Sequence, residues 1–129
     1  MLSIDDYPQD QELMQAATEF AKEVACVLKQ KYPDIPKAQH YRLLIGPKRG
    51  GMKVVVRHAI LYKTKDILEG NENDRHTENL DEEYAKMVEE IFEIIKENYG
   101  GDLTKLHRLV AILEDDQAAD SFIYDICHM

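Results

Sequence analysis

Apolar residues recur at three- and four-residue steps over two stretches, and each stretch predicts an amphipathic helix. In the first, Leu13, Ala17, Phe20, Ala21, Val24, Val27 and Leu28 form one face, and Asp10, Glu12, Glu19, Lys22, Glu23 and Lys29 form the other. Asp6 is placed to cap it, Pro8 suits a first turn, and Gln9 stands three residues beyond the cap. Pro33 and Pro36 prevent its continuation, so the expected span is about 7–31. In the second stretch the stripe is Leu80, Tyr84, Met87, Val88, Ile91, Ile94, Ile95 and Tyr99, opposite Glu83, Lys86, Glu89, Glu90, Glu93 and Glu97. Asn79 followed by Glu82 marks a start and Gly100-Gly101 an end, for a helix over about 80–99.

Between them the pattern reads as period 2. Two β-rich runs, about 39–45 and 52–63, flank the glycine-rich residues 46–51 and predict a hairpin. With Ile45 opposite Met52, Leu43 faces Val54 and Tyr41 faces Val56, on one side with His58, Ile60 and Tyr62. The other side receives Leu44 with Lys53, Arg42 with Val55, and His40 with Arg57. A one-residue slip would mix the apolar and basic faces, which favours this register. Residues 64–79 are polar and aperiodic, as expected of a long mobile loop. Leu106 to Leu113 reads as a buried strand, 114–120 as an acidic turn and Ser121 to Cys127 as a return strand, giving a second hairpin over about 105–127 in which Arg108 and Asp125 could pair.

A shift of 67 residues superposes Leu13, Phe20, Val24, Val27, Leu28, Lys29, Tyr32 and His40 on Leu80, Met87, Ile91, Ile94, Ile95, Lys96, Tyr99 and His107, a weak internal repeat. The expected fold is therefore α+β: one domain over 1–129, a two-layer sandwich in α-β-β-α-β-β order, with a four-stranded antiparallel sheet and both helices on one face.

Charge changes this picture in one place. Residues 37–65 carry eight of the sixteen Lys and Arg and none of the 25 acidic residues, so a segment of +8 sits in a body of −17, for the net −9. In the expected register His40, Arg42, Lys53 and Arg57 line the open sheet face, and Lys48 and Arg49 stand at the glycine-rich tip. Arginine suits bidentate contact with carboxylate or phosphate, and interleaved Leu44, Val55, Ala59 and Leu61 add an apolar component typical of interfaces. The residues point to a non-enzymatic interaction protein with a basic face. Its expected partners are an acidic protein, a second copy of the chain, or a phosphorylated small ligand. The ordinary alternative is a solvated hairpin whose cations pair with acidic helices of the same chain.

Two other functions are consistent with the residues. Glu89, Glu90, Glu93 and Glu97 give an acidic face fit to neutralise a basic partner, as an inhibitor or immunity protein would. His40 and His107 are related by the repeat and would serve a histidine-dependent enzyme if the fold brought them together. His58 reads as a core histidine, and His76, among Glu72, Asp74 and Glu78, as part of a solvated loop rather than a cation site. P-loop, dinucleotide, zincin, nucleophile-elbow and zinc-finger spacings are all missing, so no cofactor or metal is expected. Nucleic acid is not the expected partner, because no stacking aromatics interleave the exposed charges. No apolar run approaches a membrane span and the first residues lack signal-peptide character, while Cys26 and Cys127 read as reduced thiols, together implying a cytoplasmic protein.

Overall fold

A computed structural model of the chain describes residues 8–33, 37–45, 50–70 and 74–128. Its elements are α1 (Pro8–Lys31), α2 (Lys37–Ile45), α3 (Gly50–Glu69), a 3-10 turn (Asp74–Thr77), α4 (Glu82–Tyr99), α5 (Leu103–Glu114) and α6 (Asp116–His128). No strand occurs among the described residues. The expected α+β sandwich is overturned: both hairpins are pairs of helices and the protein is all-helical.

The correction has a physical cause at each place. Over 37–65 the buried positions among the described residues are Tyr41, Leu44 and Ile45, then Val56, Ala59, Ile60, Leu61, Lys63 and Thr64. That spacing is helical, and it coexists with the alternation that suggested strands. The expected faces are mixed as a result. Leu43, assigned to the core, is 73% exposed, and Leu44, assigned to the open face, is buried. His58 is exposed, not in the core. The β-branched run Val54-Val55-Val56 favours strand locally, but burial against other helices overrides that weak preference. Residues 64–69, expected as loop, complete α3.

In the second expected hairpin, Leu106, Leu109, Ile112 and Leu113 are buried at helical spacing. A single residue, Asp115, separates α5 from α6. It has extended backbone at φ −95°, ψ 125°, and its Oδ2 accepts from Ala118 N at 2.8 Å, so it ends one helix and caps the next. Arg108 and Asp125 do not pair with each other. Asp102 caps α5 through Lys105 N, and Gly100 ends α4 with its N–H bonded to Lys96 O at 2.9 Å. The proposed cap at Asp6 lies outside the described residues.

The packing joins two halves, α1–α3 and α4–α6. α1 packs chiefly on α6, α3 on α5 and α4, and α2 on α6. Exchanging α1 with α4, α2 with α5 and α3 with α6 maps each substantial helix pairing onto another, which is pseudo-twofold order. Buried Ala17, Phe20, Ala21, Val24 and Leu28 of α1 correspond to buried Tyr84, Met87, Val88, Ile91 and Ile95 of α4 at the 67-residue shift. Val56, Ala59, Ile60, Lys63 and Thr64 of α3 correspond to Ala119, Phe122, Ile123, Ile126 and Cys127 of α6, but at a shift of 63. Between the halves the apolar stripes merge into one core cluster. Phe20 meets the Tyr99 ring edge-on, with centroids 5.1 Å apart.

Polar groups are satisfied across the same seam. Tyr84 Oη donates to Leu44 O at 2.9 Å, Tyr41 Oη to Glu90 at 3.3 Å, and Tyr99 Oη to Glu23. Lys31 lies between Glu93 and Glu97, 3.7 and 3.2 Å away. Burial, and then the Glu90 carboxylate, hold the Tyr41 phenol well above its ordinary range.

Two measurements check this architecture. Val55 is 42% exposed on α3. Val55→Ala should leave stability unchanged or raise it by up to ~0.5 kcal/mol, as helix propensity requires; a strand position would lose stability on the same change. Urea unfolding of the variant reads the sign. Alkaline titration reads the buried phenol. Its folded-state proton is held more tightly than the unfolded chain's, so stability is full below about pH 10 and falls above it, by up to about 1.4 kcal/mol per pH unit. Tyr41→Phe should make that decline shallower.

Candidate functional site

The basic residues singled out by the sequence divide into three groups. His40 and Arg42 lie on α2, Lys53 and Arg57 on α3, and Lys48 and Arg49 fall in 46–49, outside the described residues. No sheet face gathers them.

On α3, Lys53 and Arg57 are one helical turn apart, as are Asp116 and Asp120 on α6. Lys53 Nζ reaches Asp120 Oδ1 at 2.7 Å, and Arg57 reaches Asp116 Oδ1 at 2.6 Å. The pairing 53–120 and 57–116 sets the two helices antiparallel. Beside this ladder is a groove of about 460 Å³ whose lining includes Lys53, Arg57, His58, Asp116, Asp120 and Ile123. Two cations and two carboxylates leave it without net charge, so the pair suspected of binding an external anion is already neutralised by the chain itself. Lys65 is likewise 3.2 Å from Glu114, and the Lys63 ammonium sits 5.1 Å from the Phe92 ring centroid.

Arg57 is more than an ion-pair partner. Its side chain is 12% exposed, and its Nε donates to Leu113 O at 2.7 Å, while Asp116 is 90% exposed. Leu113 is the penultimate residue of α5, so this carbonyl has no partner within its own helix. Arg57 therefore pins the α5–α6 corner to α3. Pairing with so exposed a carboxylate is worth little, about 0–1 kcal/mol; satisfying a helix-end carbonyl with a charged donor is worth more, about 1.5–3 kcal/mol.

Among the cations singled out by the sequence, Arg42 has a different setting. It is exposed on α2 and forms no ion pair with a described residue. Its neighbours His40 and Leu43 are also exposed, Leu43 to 73%. Beneath lies Cys127, whose thiol burial pushes up to about 12, with Arg42 and then Lys53 opposing that rise. Such a thiol stays protonated and unreactive at neutral pH. Leu43 is the element of this face that the sequence reading placed in the core.

The histidines do not converge. His40 and His107 are both exposed, on α2 and α5, two helices with no substantial mutual contact. His76, expected in a solvated loop, instead lies 2.7 Å from Asp66 and 5.6 Å from the Tyr62 ring centroid, which ties the 3-10 turn to α3. Among the described residues no three His, Cys, Asp or Glu side chains form a metal-binding group. On the acidic side Glu90 is engaged with Tyr41 and Tyr32, and Glu93 and Glu97 with Lys31, leaving Glu89 exposed. No described helix is long and apolar enough to cross a membrane.

No family model matches the chain, and no curated protein or solved structure is detectably similar to it.

The geometry ranks the cations, and unfolding measurements test the ranking. Arg57→Ala should cost about 2–3 kcal/mol, because Leu113 O loses its donor. Lys53→Ala and Asp116→Asn should each cost less than ~1 kcal/mol. Equal losses at all three positions would contradict the carbonyl-capping role.

Proposed function

We propose that this chain is a small non-enzymatic interaction protein that engages an acidic protein surface through the outer face of α2. The observation that carries the reading is the combination on that face: Arg42 without a carboxylate partner among described residues, beside exposed His40 and a Leu43 that is 73% exposed. An arginine with no carboxylate partner among the described residues is a residue type enriched at interface hot spots, and the exposed leucine beside it adds uncovered apolar area. The sequence adds Lys48 and Arg49 directly after α2. Lys53 and Arg57 support the same surface indirectly, by holding α3 in place against α6.

The acidic remainder of the chain suits such a role. Net negative charge disfavours nucleic acid at long range and keeps the basic face selective for locally acidic proteins. A reducing, cytoplasmic setting accords with the two unpaired thiols, Cys26 exposed and Cys127 buried.

The test compares proteins captured from the source cells by immobilised wild type, by Arg42→Glu/Leu43→Ser and by Glu89→Lys/Glu93→Lys. The first double variant should lose a captured acidic protein at least tenfold while its unfolding midpoint stays within error of wild type. Loss with the α4 variant instead would move the interface to the acidic face, and retention by both would refute the α2 reading.

A further inference from the structure

The arrangement of the two halves points to a partner that does not depend on the α2 face: a second copy of this chain, bound by exchanging halves. We infer that α1–α3 of one copy can pair with α4–α6 of another, giving a domain-swapped dimer.

Three observations lead there. First, neither half covers its own apolar stripes. α1 and α3 find their main neighbours in α6, α5 and α4, whereas contacts within α1–α3 are slight. A half can therefore bury its stripes only against a complementary half, and nothing in the chemistry of that contact requires the complement to come from the same chain.

Second, the specific bonds follow the same division. Lys31 to Glu93 and Glu97, Tyr41 to Glu90, Lys53 to Asp120, Arg57 to Leu113 O and Asp116, Lys65 to Glu114, Tyr84 to Leu44 O and Tyr99 to Glu23 all run between halves. A swapped dimer would form each of them twice. The interface free energy per half is then the same in both states, and only the hinge and the concentration term separate them.

Third, the junction between the halves carries a clip of its own. α3 ends at Glu69 and Gly70 adopts φ +70°, a left-handed turn that suits glycine. The 3-10 turn then returns along α3, where His76 bonds Asp66 at 2.7 Å and lies against Tyr62. This clip is local to the closed hinge and is lost when the two halves part. The monomer is favoured at low concentration, since a connected half has an effective concentration on the order of millimolar. Exchange becomes competitive when chains fold together near that concentration.

Complementary charge reversal distinguishes exchange from ordinary side-by-side association. Lys53→Glu/Arg57→Glu places carboxylates opposite Asp116 and Asp120; Asp116→Arg/Asp120→Lys places cations opposite Lys53 and Arg57. Each full-length variant repels itself. In a swapped heterodimer one interface has its wild-type pairs and the other has the pairs reversed. The two variants, co-refolded at equal concentration near ~1 mM, should give a 1:1 heterodimer by native mass spectrometry, with an unfolding midpoint above that of either variant refolded alone. A parallel sample of wild type, refolded from differently isotope-labelled copies, should give mixed dimers that revert to monomer on dilution. His76→Ala should raise that dimer fraction about fivefold, the effect of removing one partly buried pair. A mixture that shows only the two variants' separate unfolding curves overturns the inference. So does a wild-type dimer whose variants fail to rescue one another, because that dimer would be a surface contact between closed monomers.

Discussion

The apolar stripes of α1–α3 are covered by α4–α6, and little within either half covers them. That mutual dependence governs the rest of the structure. It extends to the backbone, because the middle helix of each half ends in a carbonyl that its own helix cannot satisfy. Leu44 O, at the end of α2, receives the Tyr84 hydroxyl from α4. Leu113 O, at the end of α5, receives the Arg57 guanidinium from α3. Each half thus completes the hydrogen bonding of the other, and an orphaned buried carbonyl would cost about 1–3 kcal/mol. Opening the seam in water loses apolar burial and these bonds together, which makes the two halves one cooperative unit.

Within that unit, apolar burial and charge have different tasks. Burial holds the halves together but is non-directional. The ion pairs are individually weak because their carboxylates are exposed. Yet a two-rung ladder, Lys53–Asp120 and Arg57–Asp116, is satisfied in only one antiparallel register of α3 on α6, and a slide of one turn would break a rung. Two of the eight cations in the basic segment, Lys53 and Arg57, thereby fix that register. Basic α3 and acidic α6 are complementary by composition, so the body of −17 and the segment of +8 are drawn together inside one chain.

How much of this was legible follows from where the deciding information lies. The stripes of α1 and α4 are long, with charges filling their opposite faces, so period alone identifies them. α3 was obscured because its buried stripe includes Lys63 and Thr64, which break the apolar pattern, while Val54, Val55 and Val56 suggest strand. Lys63 resides there because its ammonium finds the Phe92 ring, and Thr64 because its hydroxyl bonds Ile60 O at 2.8 Å. The stripe of α6 is present in the sequence as Ala118, Ala119, Phe122, Ile123, Ile126 and Cys127, at steps of one and three to four, but the acidic run 114–120 at its start has the composition of a turn. One capping residue, Asp115, does the work assigned to that turn. The cationic segment was legible as composition; its neutralisation was not, because Asp116 is 59 residues from Arg57 and only the fold brings them together.

The same allocation determines which residues can report on a partner. Reversing Arg57 or Lys53 attacks the seam between the halves, so any binding lost with them is confounded with loss of the fold. Arg42 stands apart from that seam: its guanidinium is exposed, and its charge opposes the burial-driven rise of the Cys127 thiol. Leu43 beside it is turned outward, and the core would gain from burying it if the helix were rotated by one position. Such a rotation would turn Tyr41 and Leu44 out and break both the Tyr41–Glu90 and the Tyr84–Leu44 bonds. The exposure of Leu43 is therefore imposed by the register of α2 rather than by its own preference. An aliphatic side chain held outward, beside a cation that has no ion-pair partner among the described residues, leaves exposed apolar area on α2, and the proposed interaction rests on that area rather than on the cation-rich α3.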